Sequence, residues 1–427
     1  MIQHTPLNNY KISGISSMIR DLRILSQDPF FIEKEIMSDP SFINSEAFAD
    51  IDIVMSDQKT LRVGDVVAFE VSSEGAYKEM ETLWGSRVKI NVGGIYIGVL
   101  CERGSTKLGT AQFKSQFSYS ENLELQLIAQ GGGVGFATGF SKALELESGR
   151  GNFADVKILG ALYSRSREIF LNTIDFFKSE RAVRVQKLIP SFLVLGTSTD
   201  VGKTTVVRHL TRRLSQTRKV ATIKASGTGW YEDSLLTIKA GACLAFNFTF
   251  TGLPTTYYVP VQNYINSMGT IYAYLETPER IPQNFLPLEL RNKKIDTPDV
   301  VLVEHGGDLI WGNTPSYLQN DLLMSAVHGI ILCSESALAA MGAVHKLSEY
   351  GITNEKINIF VSVPLINPEG FFIRMESLLG DKIQGILDVT KPVLKNEREK
   401  RHYYSDHYDQ ILSCEDMVDL IGSKTTI

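Results

Sequence analysis

The run Ser191-Phe-Leu-Val-Leu-Gly-Thr-Ser-Thr-Asp-Val-Gly-Lys-Thr-Thr205 decides how this chain is read. Phe192 to Leu195 are apolar and strand-like, and the residues after them make a flexible turn closing with Gly202-Lys203-Thr204. Val206-Val-Arg-His-Leu-Thr-Arg-Arg-Leu214 then reads as a helix. Strand, glycine turn and helix in that order form a phosphate cradle. Successive backbone N–H groups and the positive end of the helix dipole converge on one point where an anion can sit. Lys203 adds a positive charge for the outer phosphates, and the Thr204 hydroxyl is placed to bind Mg²⁺. The residues expected to hold the nucleotide are Gly196, Thr199, Asp200, Val201, Gly202, Lys203, Thr204 and Thr205.

The loop is one residue longer between Gly196 and Gly202 than the common expression allows. In that length it resembles the phosphate loop of dethiobiotin synthetase and the related cobyrinate amide synthases, Gly-Thr-Asp-Thr-Glu-Val-Gly-Lys-Thr. Ser198 stands where that family has Asp, and Asp200 where it often has Glu.

Beyond residue 186, strand-like and helix-like runs alternate, which predicts an α/β domain with a mainly parallel sheet covered by helices. Besides Phe192 to Leu195, the expected strands are Val220 to Ile223, Val300 to Val303, Ile330 to Cys333 and Ile357 to Val361. Ligands of such sheets bind at the carboxyl ends of the strands, so the polar residues that follow each strand matter most. Lys224 follows Val220 to Ile223, within Lys224-Ala-Ser-Gly-Thr-Gly229. In the dethiobiotin synthetase family the matching strand ends in Lys-Pro-x-x-Ser-Gly, with Ala225 here in place of the Pro. The resemblance implies that Lys224 contacts the reacting carbamate and phosphate and that a downstream Asp binds Mg²⁺. Asp233 fits that place, with Glu232 as its rival.

Glu304 follows Val300 to Val303, where an acid beside a phosphate loop holds Mg²⁺ against the outer phosphates. The family pattern there is Glu-Gly-Ala-Gly-Gly, matched by Glu304, Gly306 and Gly307. His305 departs from it, and could act as an acid or base near neutral pH or simply pack. The other histidines, His4, His209, His328, His345, His402 and His407, show no ligand spacing, so no transition metal is expected. Asn367, in Val361-Ser-Val-Pro-Leu-Ile-Asn-Pro368, lies where P-loop synthetases contact adenine, although a proline-bounded turn explains the run equally. The segment 304–329 also resembles a bacterial P-loop family that includes D-amino-acid N-acyltransferases, in its acid, glycine pair, Tyr and Leu-rich run ending in His-Gly. Ser226-Gly-Thr-Gly229 echoes that family's Thr-Gly-Gln-Thr-Gly.

The remainder divides into a helical, amphipathic segment over residues 1–50, exemplified by Ile15 to Leu25, and a smaller β-rich domain over 51–185. Val66 to Val71, Val88 to Val92 and Ile95 to Leu100 read as strands between turn residues. The glycine-rich run Gly131 to Gly139 reads as a close-packed turn, and Arg167 to Arg181 as a helix leading to a linker near Arg184 to Pro190. The third unit, 186–427, is the nucleotide-binding domain, whose tail Lys395 to Arg401 reads as a solvated charged face.

A chain of 427 residues with 43% hydrophobic content is enough for several ordinary cores. Its net charge of −5 leaves no electrostatic footprint for nucleic acid or an anionic membrane. The start, Met1-Ile-Gln-His-Thr-Pro, is unlike a signal peptide, and the apolar runs are too short to cross a bilayer. Cys101, Cys243, Cys333 and Cys414 lack paired spacing and read as reduced thiols. These features predict a soluble cytoplasmic enzyme using ATP and Mg²⁺, with a small-molecule substrate, no nucleic-acid or membrane partner, and self-association into a homo-oligomer. The loop resemblance implies a ligase or synthetase that phosphorylates a carboxylate or carbamate. The alternatives are a small-molecule kinase, an acyl-CoA-dependent amino-acid N-acyltransferase, or a nucleotide-gated regulator.

Overall fold

Ser191–Gly196 is a strand at the middle of an eight-stranded sheet. The computed structural model describes residues 3–26, 48–56, 59–105, 107–113, 117–118, 123–180, 188–286, 290–292, 294–362, 368–389, 411–414 and 416–417. The spatial order of this sheet is Leu244–Asn247, Val220–Ser226, Val300–His305, Ser191–Gly196, Val327–Cys333, Asn358–Ser362, Gly385–Leu387 and Ile411–Leu412, and neighbouring strands are parallel. All five expected strands are present. They are apolar on both faces because helices cover both. Leu193, Leu195, Val301 and Val303 point into one core. Phe192, Val194, Val300 and Leu302 point into the other, which the helix Lys203–Leu214 covers with Val206, Val207 and Leu210. The sequence order reverses around Ser191–Gly196, and a crevice opens outside the strand ends at such a reversal.

The amino-terminal half is β-rich. Val66–Val71 pairs with both Ala154–Ser164 and Ile95–Leu100. Gly133–Gly135 and Glu124–Ala129 complete the circuit, so five strands close into a ring. Alternation along Val66–Val71 splits its side chains between two cores: Val67, Phe69 and Val71 into one, Val66 and Ala68 into the other. Within Gly131 to Gly139, Gly132 makes the turn at φ +87° and Gly133–Gly135 continues as a strand.

Two helical expectations are corrected. In the described part of residues 1–50, Gln3–Pro6 and Ile12–Ile15 are strands and Leu22–Ile24 is one 3-10 turn. Both strands add to the β-rich sheet, pairing with Ile51–Met55 and Ile95–Leu100 respectively. Ser16 Oγ accepts the Met18 N–H at 3.2 Å, diverting an amide from any helix. The helix expected over Arg167 to Arg181 is shorter, Thr173–Glu180, and the strand Ile169–Phe170 precedes it. Asn172 Oδ1 accepts the N–H groups of Ile174 and Asp175 and so fixes where that helix begins. The linker region 181–187, Asn367 and the charged run 395–401 lie outside the described residues.

Candidate active site

The phosphate loop leaves the carboxyl end of Ser191–Gly196 and enters the helix Lys203–Leu214. Gly202 caps that helix at φ +89°, a left-handed conformation that costs glycine little, and Asp200 is left-handed too at φ +63°. At Gly196 the issue is proximity instead: a β-carbon there would lie 2.7 Å from Lys203 Nζ and would displace that side chain. Val201 is buried beneath the loop and anchors it to the core. Arg212 and Arg213 in the last turn complement the negative end of the helix, leaving the positive end to face the loop.

Lys203 Nζ donates to Ser198 O at 2.6 Å and Gly307 O at 2.8 Å, tying the loop to the glycine pair after Val300–His305. Burial pushes its pKa below the ordinary lysine value, and the neighbouring Lys224 pushes the same way. An anion bound in the loop would relieve both effects. Thr204 Oγ1 donates to Glu304 Oε1 at 2.8 Å. Glu304 is 3% exposed, and the same oxygen accepts from Lys224 Nζ at 2.5 Å. Lys224 Nζ also pairs with Asp233 Oδ2 at 2.8 Å. Burial alone would lower the Lys224 pKa, but Asp233 and Glu304 overcome it and raise the value, so this second ammonium stays charged.

These groups face one cavity of about 400 Å³. From the loop it is lined by Thr199, Asp200, Gly202, Lys203, Thr204 and Thr205. Lys224, Asp233 and Glu304 supply its other charges, and Gly306 and Gly307 its floor. Glu232, the rival of Asp233, is turned away and pairs with Arg87 at 2.7 Å. Thr204, Glu304 and Asp233 offer hard oxygens, a set that fits Mg²⁺. Among the described residues no three His, Cys, Asp or Glu side chains converge on a metal position. A Mg²⁺ ion would therefore complete its shell with phosphate oxygens and water, as that ion ordinarily does.

The catalytic reading of His305 is corrected. The side chain is 1% exposed, packs edge-on against Tyr317 with ring centroids 4.9 Å apart, and is not among the residues lining the cavity. Burial, helped by Lys224 and Lys203, pushes its pKa down to about 3, so the ring is neutral near pH 7. In this structure it packs against Tyr317, and among the described residues neither ring nitrogen has a hydrogen-bond partner. The cysteines are free thiols, and burial raises Cys333 to about 12, which leaves it unreactive.

Among the lining residues not anticipated as ligand contacts are Arg103, Trp230 and Tyr257. Arg103 comes from the strand Arg103–Ser105 of the β-rich half, so both halves of the chain build the site. Nothing in the local sequence around Arg103 links it to a loop so distant along the chain. A larger cavity of about 860 Å³ adjoins the first and shares Arg103, Leu108, Asp200, Thr228 and Trp230 with it.

No known protein-family model matches this chain, and no curated protein sequence does. Among solved structures it is similar to the signal recognition particle 54 kDa protein of Aeropyrum pernix K1 in complex with GDP. That likeness has 15% identity and a TM-score of 0.30, and covers 59% of this chain and 54% of the other. The chain thus spans about half the length of that protein. A putative plasmid partition protein of Borrelia burgdorferi B31 bound to AMPPNP is similar at 14% identity over 56% of this chain and 100% of its own, with a TM-score of 0.29. A ParA family ATPase of Chlorobium tepidum TLS is similar at 7% identity over 55% of this chain and 92% of its own, with a TM-score of 0.28.

Proposed function

We propose that this protein is an ATP- and Mg²⁺-dependent enzyme of the ligase or synthetase type, activating a small-molecule carboxylate or carbamate by phosphoryl transfer. The observation that carries the reading is Lys224: a second ammonium beside the phosphate loop, braced by Asp233 and Glu304, in a cavity continuous with a larger one. Lys203 already serves the loop itself, which leaves Lys224 free to serve an acceptor. Two cations around one cavity, with room beyond it, suit a transfer in which charge shifts from nucleotide to acceptor.

In this reading the loop amides and Lys203 hold the triphosphate, and Lys224 orients the acceptor oxygen and balances charge on the moving phosphoryl group. Thr204, Glu304 and Asp233 would hold Mg²⁺, which when bound neutralises the outer phosphates. An acceptor carboxylate oxygen forms a bond to the γ-phosphorus as the bond to the β–γ bridging oxygen breaks, giving an acyl phosphate and ADP. An amine then attacks the acyl carbon, inorganic phosphate leaves with the bonding pair, the amine gives up a proton, and an amide or ring remains. No protein nucleophile is needed, which agrees with the buried, neutral His305 and the inert Cys333.

The test is ADP release by the full chain with ATP, Mg²⁺ and a panel of carboxylic acids and amines. Acid-dependent ADP formation, abolished by Lys203→Ala, is the expected result. Free-thiol release from acetyl-CoA without ATP would overturn this reading in favour of the acyltransferase. Tight ATP binding with no acid-dependent turnover would favour a nucleotide-gated regulator.

A further inference from the structure

Arg103 is the one buried cation of the cleft that the phosphoryl-transfer chemistry leaves without a task. It is 8% exposed and lines both cavities, at their junction. Nη1 donates to the Tyr77 hydroxyl and to Ile128 O, and the guanidinium carbon lies 5.7 Å from the Tyr77 ring centroid. These contacts fix its position but supply no negative charge. Among the described residues no carboxylate pairs with it. The adjacent Glu102 turns away, its Oε1 accepting the Phe113 N–H at 3.0 Å. A buried cation without a counter-ion is costly, and the guanidinium fork matches a carboxylate in two parallel bonds. Tyr257 connects Arg103 to the transfer site. It lines the transfer cavity together with Arg103 and Lys224, and burial pushes its hydroxyl up to about 12. Leu108, Leu144 and Trp230 give the larger cavity an apolar wall.

We propose that the acceptor is a small diacid, with one carboxylate at Lys224 to receive the phosphoryl group and the second held by Arg103. Its carbon skeleton lies along Tyr257 and the Trp230 wall. This rests on the phosphoryl-transfer reading for the role of Lys224, but the recognition by Arg103 is separable from it.

The experiment measures binding to the full chain, in the presence of Mg²⁺ and AMPPNP, of a series of straight-chain dicarboxylates and their monomethyl esters, together with ADP release when ATP replaces AMPPNP. At the best chain length the diacid should bind at least about tenfold more tightly than its monoester, the scale of a charge-assisted pair. With AMPPNP held saturating for each protein, Arg103→Gln should erase that difference. If Arg103→Gln does not fold, Arg103→Lys keeps the charge and loses the fork, and should shrink the preference. Equal binding of diacid and monoester to the unaltered protein, at every length tried, overturns the proposal. So does a preference that survives Arg103→Gln. A diacid preference without ADP release retains the Arg103 site and sinks the phosphoryl-transfer reading. ADP release stimulated equally by monoesters and diacids does the reverse.

Discussion

At the residue scale, Glu304 Oε1 is the point where the site's demands meet, since it accepts from both Thr204 and Lys224. Removing its charge while keeping its shape leaves the Lys224 ammonium with Asp233 alone and, in the proposed reading, would weaken the grip on Mg²⁺. Glu304→Gln should therefore bind nucleotide and fold normally, yet lower kcat by about 10²-fold or more, as read in a coupled ADP assay at saturating Mg²⁺. A near-normal kcat would remove Glu304 from the chemistry. Lys224→Met separates binding from turnover more sharply. A cation that serves mainly the transition state lowers kcat and kcat/KM together when lost. Calorimetry should find ATP affinity nearly unchanged in Lys224→Met while turnover falls by about 10²-fold or more. Loss of ATP affinity with kcat intact would instead assign Lys224 to ground-state nucleotide binding.

At the scale of elements, the strand Glu79–Glu81 meets the helix Glu232–Lys239, which carries Asp233. Glu81 Oε2 accepts the N–H of Tyr231, the residue preceding that helix, at 2.7 Å, and Ser17 Oγ donates to the same oxygen. Glu81 is 2% exposed. Burial raises its pKa from 4.5 to about 7, although Ser17, Tyr231 and the Arg20 charge all oppose the rise. The folded state therefore binds this proton more tightly than the unfolded chain. The stability it contributes is fully present below about pH 4.5, falls as pH rises, and is gone above about pH 7, a loss of about 3 kcal/mol. Denaturant titrations across that window should show the decline, and Glu81→Gln should flatten it. An unchanged profile in the variant would assign the pH dependence to other groups.

Across the whole molecule, the two halves meet through backbone as well as side chains. A β-carbon on Gly131 would lie 2.3 Å from Gly229 O, which is too close for any packing adjustment of a side chain to relieve. Gly131→Ala should wedge the halves apart at the cleft, lower stability by about 1–3 kcal/mol and weaken acceptor binding. Gly342, exposed within the helix Ala337–Glu349, has no atom within 4 Å of an added β-carbon. Gly342→Ala should raise stability by about 0.5–1 kcal/mol without touching the site. Thermal midpoints of the two variants should therefore move in opposite directions.

The phosphate loop, five of the eight strands of the parallel sheet, and the places of Lys224 and Glu304 were legible in the sequence because each depends on one strand and the turn that follows it. An apolar run ending in a charged or glycine-rich turn states its direction and its carboxyl end without help from the rest of the chain. The preference for Asp233 over Glu232 rested on the family resemblance, and what turns Glu232 away could not be read from the sequence. Consecutive helical residues point in different directions, and Arg87, which holds Glu232, lies 145 positions earlier. The burial of His305, the strands within residues 3–26 and the ring closed by Val66–Val71 likewise required packing between distant segments. Arg103 is the clearest case: its own strand gives an ordinary basic residue, and only the meeting of the two halves puts a guanidinium with no carboxylate partner among the described residues beside the cavity at the loop. Local pattern determined where the loop and its lysine stand, and long-range packing decided which distant side chains face them.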